Sequence, residues 1–403
     1  MRHPGTSGWE SAGVLLMERK ESCRIVFSGD IGFDRYMDRK WEDENLLSPE
    51  ILEFFHSADH AAVDVEGALL KALDDGSRGV FFHAMDPAAV SLLEKIRADF
   101  WCIGNNHIMD AGAEGIISSK KLAKENGAVC FGAGLDIREA SEPVYLPEAG
   151  GIGMISVAYL NECIPATETE PGIFPWNDMA RIGERIREIK SRCRWCVIVS
   201  HGGEEFSPMP MPFVRDRYLE YLRMGADVVV ALHPHVAENY EILEDGKMIF
   251  YSLGNFIFDT PYQRAHRYTD AGVLLKLIFT EDDLQFEAMG TRIIRGEEHI
   301  EKGPLPKIFT NVSADQYELL APLAAKALAE EDKRKMIFLE PERFTKASDD
   351  VWNGYFFSTE PDGYFEGQHM DFGLIIPLAE KAENGDWQKS HLTEVKEYIS
   401  QLL

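Results

Sequence analysis

Short apolar segments alternate with longer amphipathic segments through the first two thirds of the chain. The apolar segments, which have the length and composition of buried strands, cover residues 24–29, 58–65, 100–103, 151–158, 195–200, 227–232 and 248–253. The amphipathic segments, which repeat apolar positions at helical spacing, cover residues 86–96, 113–126, 179–192 and 215–224. Because the two kinds alternate, the pattern predicts an α/β fold rather than a helical bundle or an all-β architecture.

Residues that commonly cap helices lie at the ends of several amphipathic segments. Asp86 precedes Pro87, which predicts a carboxylate cap followed by a proline in the first turn. Gly127 and Gly225 follow two of the amphipathic segments and are typical of helix C-termini. These capping residues support the helical interpretation in addition to the apolar spacing.

The regular pattern weakens after Leu284. Charged helical stretches at 319–334 and a terminal helix at 392–403 flank an aromatic loop at 352–364. We therefore expect an N-terminal extension over residues 1–22, a main domain over 23–290, and a C-terminal extension over 291–403 of mostly helical and loop character. The sequence contains no evident repeat or low-complexity tract.

The charge balance limits the classes of partner. The 403 residues include 41 Lys and Arg against 68 Asp and Glu, a formal net charge of −27. Such a chain repels nucleic acid and anionic membranes, so an anionic substrate needs a locally positive site, which a metal can supply.

The chain has the features of a cytoplasmic protein. No apolar run reaches the roughly 18 residues needed to cross a bilayer, and the N-terminus lacks the continuous apolar centre of a signal peptide. The six cysteines are too few for a disulfide framework in a chain of this length, and we expect them to be reduced. The sequence therefore predicts a soluble protein of the cytoplasm.

Metal-ligand residue types recur where five predicted strands end. They are Asp30; Asp64 and Glu66; Asn106 and His107; His201; and His233 with His235. Each alone has an ordinary structural interpretation, since an aspartate after a strand commonly caps a turn and a single histidine is commonly a core residue. Their occurrence at consecutive strand ends favours a shared metal site, because α/β folds place their sites there.

The same residues belong to motifs that occur in order between residues 24 and 279. The motifs are Gly29-Asp30, Asp64-Val65-Glu66, the run from Asn105-Asn106-His107 to Gly112, His201-Gly202-Gly203-Glu204-Glu205-Phe206, Gly225-Ala226-Asp227, His233-Pro234-His235, and Tyr251-Ser252-Leu253-Gly254-Asn255-Phe256. This set resembles the CapA family of capsule biosynthesis, named for poly-γ-glutamate synthesis and similar to the calcineurin-like metallophosphatases. The resemblance implies a calcineurin-like sandwich of two packed mixed β-sheets flanked by helices, in α-β-β-α layers.

The resemblance also implies two divalent metal ions, which we expect to be Mn, Zn or Fe. The implied ligands are Asp30 and His235 on the first metal, Glu66 as a bridge, and Asn106, His201 and His233 on the second. His107 is then placed to protonate a leaving oxygen, with Asp110 orienting its ring. The alternative for His107 is a hydrogen bond to a loop carbonyl.

The chain departs from the pattern of the relatives at three positions. Ile31-Gly32 follows Asp30 where the wider superfamily has an Asp-x-His pair, which leaves open whether one metal or two bind. Asp64 replaces an asparagine and offers either a further carboxylate ligand or an outer contact. Gly202 stands where relatives often have a tryptophan.

Basic residues near the motifs are candidates for binding an anionic substrate. They are Arg35, Arg264, His266 and Arg267. Arginine matches carboxylate and phosphate geometry, but in so acidic a chain a surface salt bridge is an equal alternative for each.

The resemblance implies a metal-dependent hydrolase, specifically a phosphoesterase that uses a dinuclear metal-activated water and is linked to capsule or poly-γ-glutamate metabolism. The expected substrate is an anionic small molecule or polymer, either a phosphoester or a polyglutamate-like chain. Two alternatives stay open: a non-hydrolytic accessory or binding protein for such polyanions, and an amide-bond hydrolase or transferase acting on them.

Overall fold

The fold is seen in a computed structural model that describes residues 21–71, 81–160, 163–348 and residue 351. The expected aromatic loop at 352–364, the terminal helix at 392–403 and nearly all of the N-terminal extension lie outside the described residues.

The strands of the described residues include one close to each of the seven apolar segments of the sequence, together with eleven others. They are β1 (Ser22–Ile31), β2 (His60–Val65), β3 (Ala68–Leu69), β4 (Ala84–Met85), β5 (Ala98–Cys102), β6 (Val129–Phe131), β7 (Ala133–Gly134), β8 (Val144–Leu146), β9 (Ile152–Ala158), β10 (Gly172–Ile173), β11 (Trp195–His201), β12 (Val228–Leu232), β13 (Tyr240–Ile242), β14 (Met248–Phe250), β15 (Asn255–Ile257), β16 (Ala271–Thr280), β17 (Leu284–Ile294) and β18 (His299–Gly303).

The helices of the described residues include one at each of the four amphipathic segments and one that covers the charged stretch at 319–334, together with four others. They are α1 (Pro49–His56), α2 (Val90–Lys95), α3 (Ala113–Glu125), α4 (Ile137–Ala140), α5 (Met179–Lys190), α6 (Pro212–Met224), α7 (Pro261–Ala265), α8 (Ala314–Leu339) and α9 (Pro341–Phe344). Asp86 caps as predicted, accepting a hydrogen bond from the Ala88 backbone N–H at 2.8 Å, although a 3-10 turn precedes α2. Gly225 ends α6 with a φ of 117°, a conformation that favours glycine.

Two mixed sheets form the centre of the described fold. The first has the strand order β18-β17-β16-β1-β2-β5-β6, with β15 paired to the end of β1, and the second has the order β13-β14-β12-β11-β9-β8. Strands β1, β2, β5 and β6 are parallel to one another, as are β9, β11, β12 and β14. Parallel neighbours bring their carboxyl ends to one edge of each sheet.

The sheets pack face to face, with helices outside. Alternate side chains of β1 point to opposite faces: Ile25 and Phe27 join a core shared with the second sheet, including Val197 of β11. Val26 instead packs on the other face, in a second core that includes Ile51 of α1. Because α5 and α6 also supply buried apolar side chains outside the second sheet, the expected α-β-β-α layering is confirmed.

The first sheet continues beyond residue 290, where the sequence placed the end of the main domain. β17 runs through that position to Ile294, and β18 pairs with it antiparallel. The 26-residue helix α8 follows. In the described part of the chain, no helix has both the length and the apolar character needed to cross a membrane, and the expected cytoplasmic location stays a prediction.

Candidate metal centre

The structure brings all the sequence-predicted ligand side chains to one edge of the sandwich. Asp30 lies near the end of β1, Glu66 directly after β2, and His201 at the last position of β11. Asn106 follows β5, while His233 and His235 follow β12. All six side chains are buried. The convergence follows from the parallel strand directions, because consecutive parallel strands end at the same edge.

Carboxylate and imidazole atoms meet in three overlapping groups. In each group one atom per residue lies within 4.8 Å of the others: Glu66, His201 and His233; Asp30, Asp64 and His201; and Asp30, Glu66 and His235. Glu66 belongs to two of these groups, as do Asp30 and His201, and the bridging role expected of Glu66 stays a prediction.

Individual distances place Glu66 between two histidines. Its Oε1 lies 3.7 Å from His235 Nε2 and 3.9 Å from His201 Nε2. His235 Nδ1 lies 3.1 Å from Asp30 Oδ2, and Asn106 Oδ1 lies 2.9 Å from His201 Nε2. Asp64 also joins the centre, with Oδ2 3.2 Å from His201 Nδ1, so its carboxylate lies among the expected ligands rather than outside them.

The buried polar atoms of the centre fit divalent cations. Both side-chain oxygens of Asp30, Asp64 and Glu66 are buried, and within the described chain none accepts a hydrogen bond. His201 Nδ1 and His233 Nδ1 are buried without a partner in the same part of the chain. Burying unpaired carboxylates is costly unless they are protonated or coordinate metals, and oxygen with imidazole donors suits Mn, Zn or Fe.

Burial shifts the protonation of the centre strongly. It raises the pKa of the Asp64 carboxyl to about 8 and raises the pKa values of Asp30 and Glu66. It also lowers the pKa of His201 to about 3. Without a cation, the carboxyls are therefore biased toward the protonated form and His201 toward the neutral form that presents a lone pair to a metal.

His235 is held differently from the other imidazoles. Burial opposes its charge, but the adjacent Asp30 carboxylate outweighs burial and raises the pKa of His235. Its Nδ1–H donates to Asn255 Oδ1 at 2.9 Å, while the Asn255 amide donates to the Thr269 carbonyl at 2.9 Å. This chain of hydrogen bonds orients the ring so that Nε2 faces Glu66.

The backbone around the two later histidines is strained. His233 has a φ of 99° and His235 a φ of 57°, left-handed conformations that disfavour side chains other than glycine. Such conformations cost on the order of 1–3 kcal/mol each and concentrate at functional sites.

His107 lies beside the centre. Its Nε2 is 3.9 Å from Glu66 Oε1, and its Nδ1–H donates to Asp110 Oδ2 at 2.9 Å. The partner of Nδ1 is therefore the Asp110 carboxylate rather than a loop carbonyl, and the catalytic roles expected of both residues stay predictions. Burial, followed by the neighbouring His83, lowers the pKa of His107, while Asp110 opposes this effect.

A family model for bacterial capsule synthesis proteins, PGA_cap, matches residues 24–260. This is more than half of the 403 residues. The chain belongs to the PGA_cap family. The matched residues include every ligand candidate and end before α7, so the family expected from the motifs is confirmed while the later chain lies outside the match.

Two curated relatives of this PGA_cap chain carry the name CapA. It is similar to PGA biosynthesis protein CapA of Bacillus subtilis (strain 168), with 27% identity over 245 residues, which is 59% of this chain and 64% of the relative. It is also similar to Capsule biosynthesis protein CapA of Bacillus anthracis, with 30% identity over 168 residues and 40% of each chain. The chain thus spans less than two thirds of the length of either relative.

A solved structure with a distant likeness is that of TT1561 of Thermus thermophilus. The two chains are 11% identical and superpose with a TM-score of 0.36, over 66% of this chain and 98% of the other.

Sequence reasoning assigned no role to His83, which contacts the edge of the centre. Its ring centroid is 4.2 Å from that of His107, and its Nδ1 pairs with the Asp34 carboxylate. Its backbone N–H donates to Asp110 Oδ2 at 2.8 Å. His83 thus supports both members of the His107–Asp110 pair. Nothing in the local sequence marks it, because it precedes the short turn before α2 and belongs to none of the recognised motifs.

Glu205 is a second residue that sequence reasoning did not assign, although it lies within the recognised His201 to Phe206 motif. Its Oε1 is 4.0 Å from His235 Nε2, and its Oε2 accepts from the Tyr262 hydroxyl at 2.9 Å and from Lys335 Nζ at 3.2 Å. Burial opposes its charge, but Lys335 and His235 outweigh burial and lower the pKa of Glu205. Lys335 belongs to α8, outside the PGA_cap match, so the later chain reaches the centre through Glu205.

The basic residues expected to bind substrate lie in different surroundings. Arg264 pairs with Asp259 and with Glu298, at 2.5 and 2.7 Å, which corresponds to the salt-bridge alternative. His266 is buried, pairs with Glu331 at 2.9 Å and stacks on Phe206.

The other two basic candidates are more accessible to solvent. Arg35 is exposed and Arg267 is half-buried. Their roles in substrate binding, and those of Arg264 and His266, stay predictions.

Proposed function

We propose that this PGA_cap family member is a metal-dependent phosphoesterase with a dinuclear centre, acting in capsule or poly-γ-glutamate metabolism. One observation carries the proposal: three buried carboxylates, which have no hydrogen-bond partner among the described residues, lie among three buried histidines at the carboxyl ends of parallel strands. A fold does not maintain such a cluster for stability, because each unpaired buried carboxylate opposes folding. The arrangement is understandable as a binding site for cations.

The proposed ligands of each cation follow from the groups of residues whose ligand atoms lie close together. Asp30, Glu66 and His235 would hold one cation, and Glu66, His201 and His233 the other, with the Asn106 amide oxygen beside His201. Asp64 would add a carboxylate next to Asp30. Bound divalent cations supply an activated water and neutralise charge on a phosphoryl group during in-line displacement.

The proposed role of His107 is to hold a proton for the leaving oxygen. Asp110 accepts the Nδ1–H at 2.9 Å, which fixes the ring and leaves Nε2 facing the centre. For a proton to be available on Nε2, the ring must be doubly protonated. The Asp110 carboxylate favours that state, but burial and His83 outweigh it and lower the pKa of His107, and Nε2 lies 3.1 Å from the Asn106 amide nitrogen. We assign the proton transfer to the doubly protonated fraction of the rings. His107 then transfers this proton from Nε2 to the departing oxygen.

The test is an activity survey of the purified full chain loaded with Mn or Zn. Phosphomonoesters, phosphodiesters and γ-glutamyl peptides are offered, and release of phosphate or amine is measured. We expect phosphoester turnover that disappears on chelation and returns with added cation. Absence of turnover on both phosphoester classes with either metal would contradict the proposal.

The printed names of the two relatives favour a second candidate function. Both describe biosynthesis proteins, which fits a protein that binds poly-γ-glutamate-like polymers or transfers their amide bonds. Binding without turnover predicts that polyglutamate affinity survives His107→Ala, whereas amide chemistry predicts that new amine or peptide products appear in the same survey.

A further inference from the structure

A second group of metal-ligand side chains lies at the opposite end of the strands from the metal centre. Cys23 lies at the start of β1 and His60 is the first residue of β2, whereas Asp30 lies near the end of β1. Seven residues of strand separate Cys23 from Asp30, which is roughly 23 Å at about 3.3 Å per residue. The second group therefore cannot share a cation with the first.

Three different ligand types meet in this group. Cys23 offers Sγ, His60 a ring nitrogen and Glu148 a carboxylate oxygen, and these atoms lie within 4.8 Å of one another. Glu148 belongs to the connection between β8 and β9 of the second sheet. The group thus spans the two sheets, with two members on the first and one on the second.

His60 is oriented as metal-bound histidines are. Its Nδ1–H donates to Asp99 Oδ2 at 3.0 Å, which leaves Nε2 with a lone pair directed toward Glu148 Oε1 at 4.0 Å. A carboxylate on the far nitrogen of a ligating histidine fixes the tautomer and increases the basicity of the metal-facing nitrogen. A tetrahedral zinc ion needs these two ligand atoms about 3.3 Å apart, so a small rotation of the Glu148 side chain closes the site.

Glu148 carries an independent sign of a missing ligand. Its Oε2 is buried and, within the described residues, has no hydrogen-bond partner. The His60 and Glu148 side chains are 23% and 20% exposed, so an ion has a path from solvent. The Asp99 carboxylate, which accepts the hydrogen bond from His60 Nδ1, adds a second negative group beside the site.

We propose that Cys23, His60 and Glu148 bind a zinc ion that links the two sheets and is separate from the dinuclear centre. One thiolate, one imidazole and one carboxylate leave a fourth tetrahedral position for water. Binding releases the thiol proton of Cys23, because the thiolate is the ligand. The ion acts as a cross-link between β1, β2 and the β8–β9 connection, and this assignment does not depend on the proposed phosphoesterase activity.

Cobalt provides a test that does not use activity. Co²⁺ bound to a thiolate gives a charge-transfer absorption in the near ultraviolet, whereas the ligand candidates of the dinuclear centre offer only oxygen and nitrogen. We expect Co²⁺ titration of the full chain to produce this band with about one equivalent, and we expect Cys23→Ser to abolish it. Cys102→Ser is the matched control, because Cys102 pairs in register with Asp64 beside the main centre, and it must retain the band.

The His233→Ala/His235→Ala variant separates the two sites. In this background Zn²⁺ is expected to raise the midpoint of thermal unfolding, and the further change His60→Gln or Glu148→Gln is expected to remove that shift. These two positions are partly exposed, so they test the site even if Cys23→Ser does not fold.

Two results would overturn the assignment. One is the absence of a thiolate band in the full chain with Co²⁺, which would leave His60, Asp99 and Glu148 as an ion-pair network only. The other is a band of unchanged intensity in Cys23→Ser.

Discussion

The two ends of the sandwich carry similar side chains in opposite electrostatic states. At the Asp30 end, burial raises the pKa of Asp64 to about 8 and lowers that of His201 to about 3. At the Cys23 end, Asp99 pairs with His60 and raises its pKa, and the imidazole stays partly exposed. The first end is therefore costly for the fold unless a cation is present, whereas at the second end the His60 ring already has Asp99 as a partner and, among the described residues, only Glu148 Oε2 is left without one.

This difference teaches that burial, more than residue type, decides how strongly a site depends on metal. A cation at the first end replaces protons on carboxyls that have no other partner. A cation at the second end competes with a proton on His60, so binding there weakens as the pH falls. Variants and pH changes can test each half of this contrast.

The largest expected effect is that of His233→Ala/His235→Ala. Removing one imidazole from each proposed cation removes several kcal/mol of transition-state stabilisation, on the order of a 10³-fold or greater loss of turnover. Metal analysis should show that the equivalents bound at the centre fall to below one. His56→Ala is the control, because His56 is exposed and contacts the Lys95 carbonyl far from the ligands. If the double variant retained all of its metal, the proposed role of His233 and His235 as ligands at the Asp30 end would be contradicted.

His107→Ala is expected to lower turnover without changing the amount of bound metal. Loss of a general acid costs about a hundredfold in turnover, while the metal equivalents stay unchanged because His107 is not a proposed ligand. Asp110→Asn should give a smaller loss in the same direction, since the amide still reaches Nδ1 but no longer favours the protonated ring. Paired turnover and metal measurements check both variants, and a His107→Ala protein without bound metal would refute this division of roles.

The stability of the metal-free protein is expected to fall as the pH rises from 6.5 to 8. Burial raises the pKa of Asp64 in the folded state to about 8, so over this window the folded state binds a proton on Asp64 that the unfolded chain has lost, and stability falls as the pH rises. The raised pKa values of Asp30 and Glu66 act in the same direction. The slope that Asp64 contributes is at most about 1.4 kcal/mol per pH unit. The lowered pKa of His201 acts oppositely, but only below about 6.5.

Chemical denaturation after chelation measures this trend. Asp64→Asn should flatten the slope, and Mn or Zn should remove it by compensating the carboxylate charge. A metal-free midpoint that rises over this window would show that the carboxyls are already ionised in the folded state.

The sequence predicted the layers of the fold and the grouping of the six proposed ligands, for one physical reason. Polar residues at the ends of parallel strands must meet at a common edge, so the positions of Asp30 and His201 in the chain are enough to place them together. His83 and Lys335 were not predictable in this way, because a loop and a helix outside the motifs reach the centre through tertiary packing. The sequence predicted that the main domain ends at residue 290, which lies within β17. This strand is half-exposed and lacks the continuous apolar character of buried strands, so its sequence does not mark it as part of the sheet.

The smallest expected change in stability comes from breaking the contact between α8 and the metal centre. Lys335 pairs with the half-buried Glu205 at 3.2 Å but is 30% exposed itself, so solvent screening reduces the value of the pair to about 1 kcal/mol. Lys335→Met should lower the free energy of unfolding by that amount at pH 7 and raise the pKa of Glu205 toward its ordinary value. Lys333→Met is the matched control, because the Lys333–Glu330 pair lies on the surface of the same helix. Equal losses in the two variants, measured by urea denaturation, would show that α8 does not support the centre through Glu205.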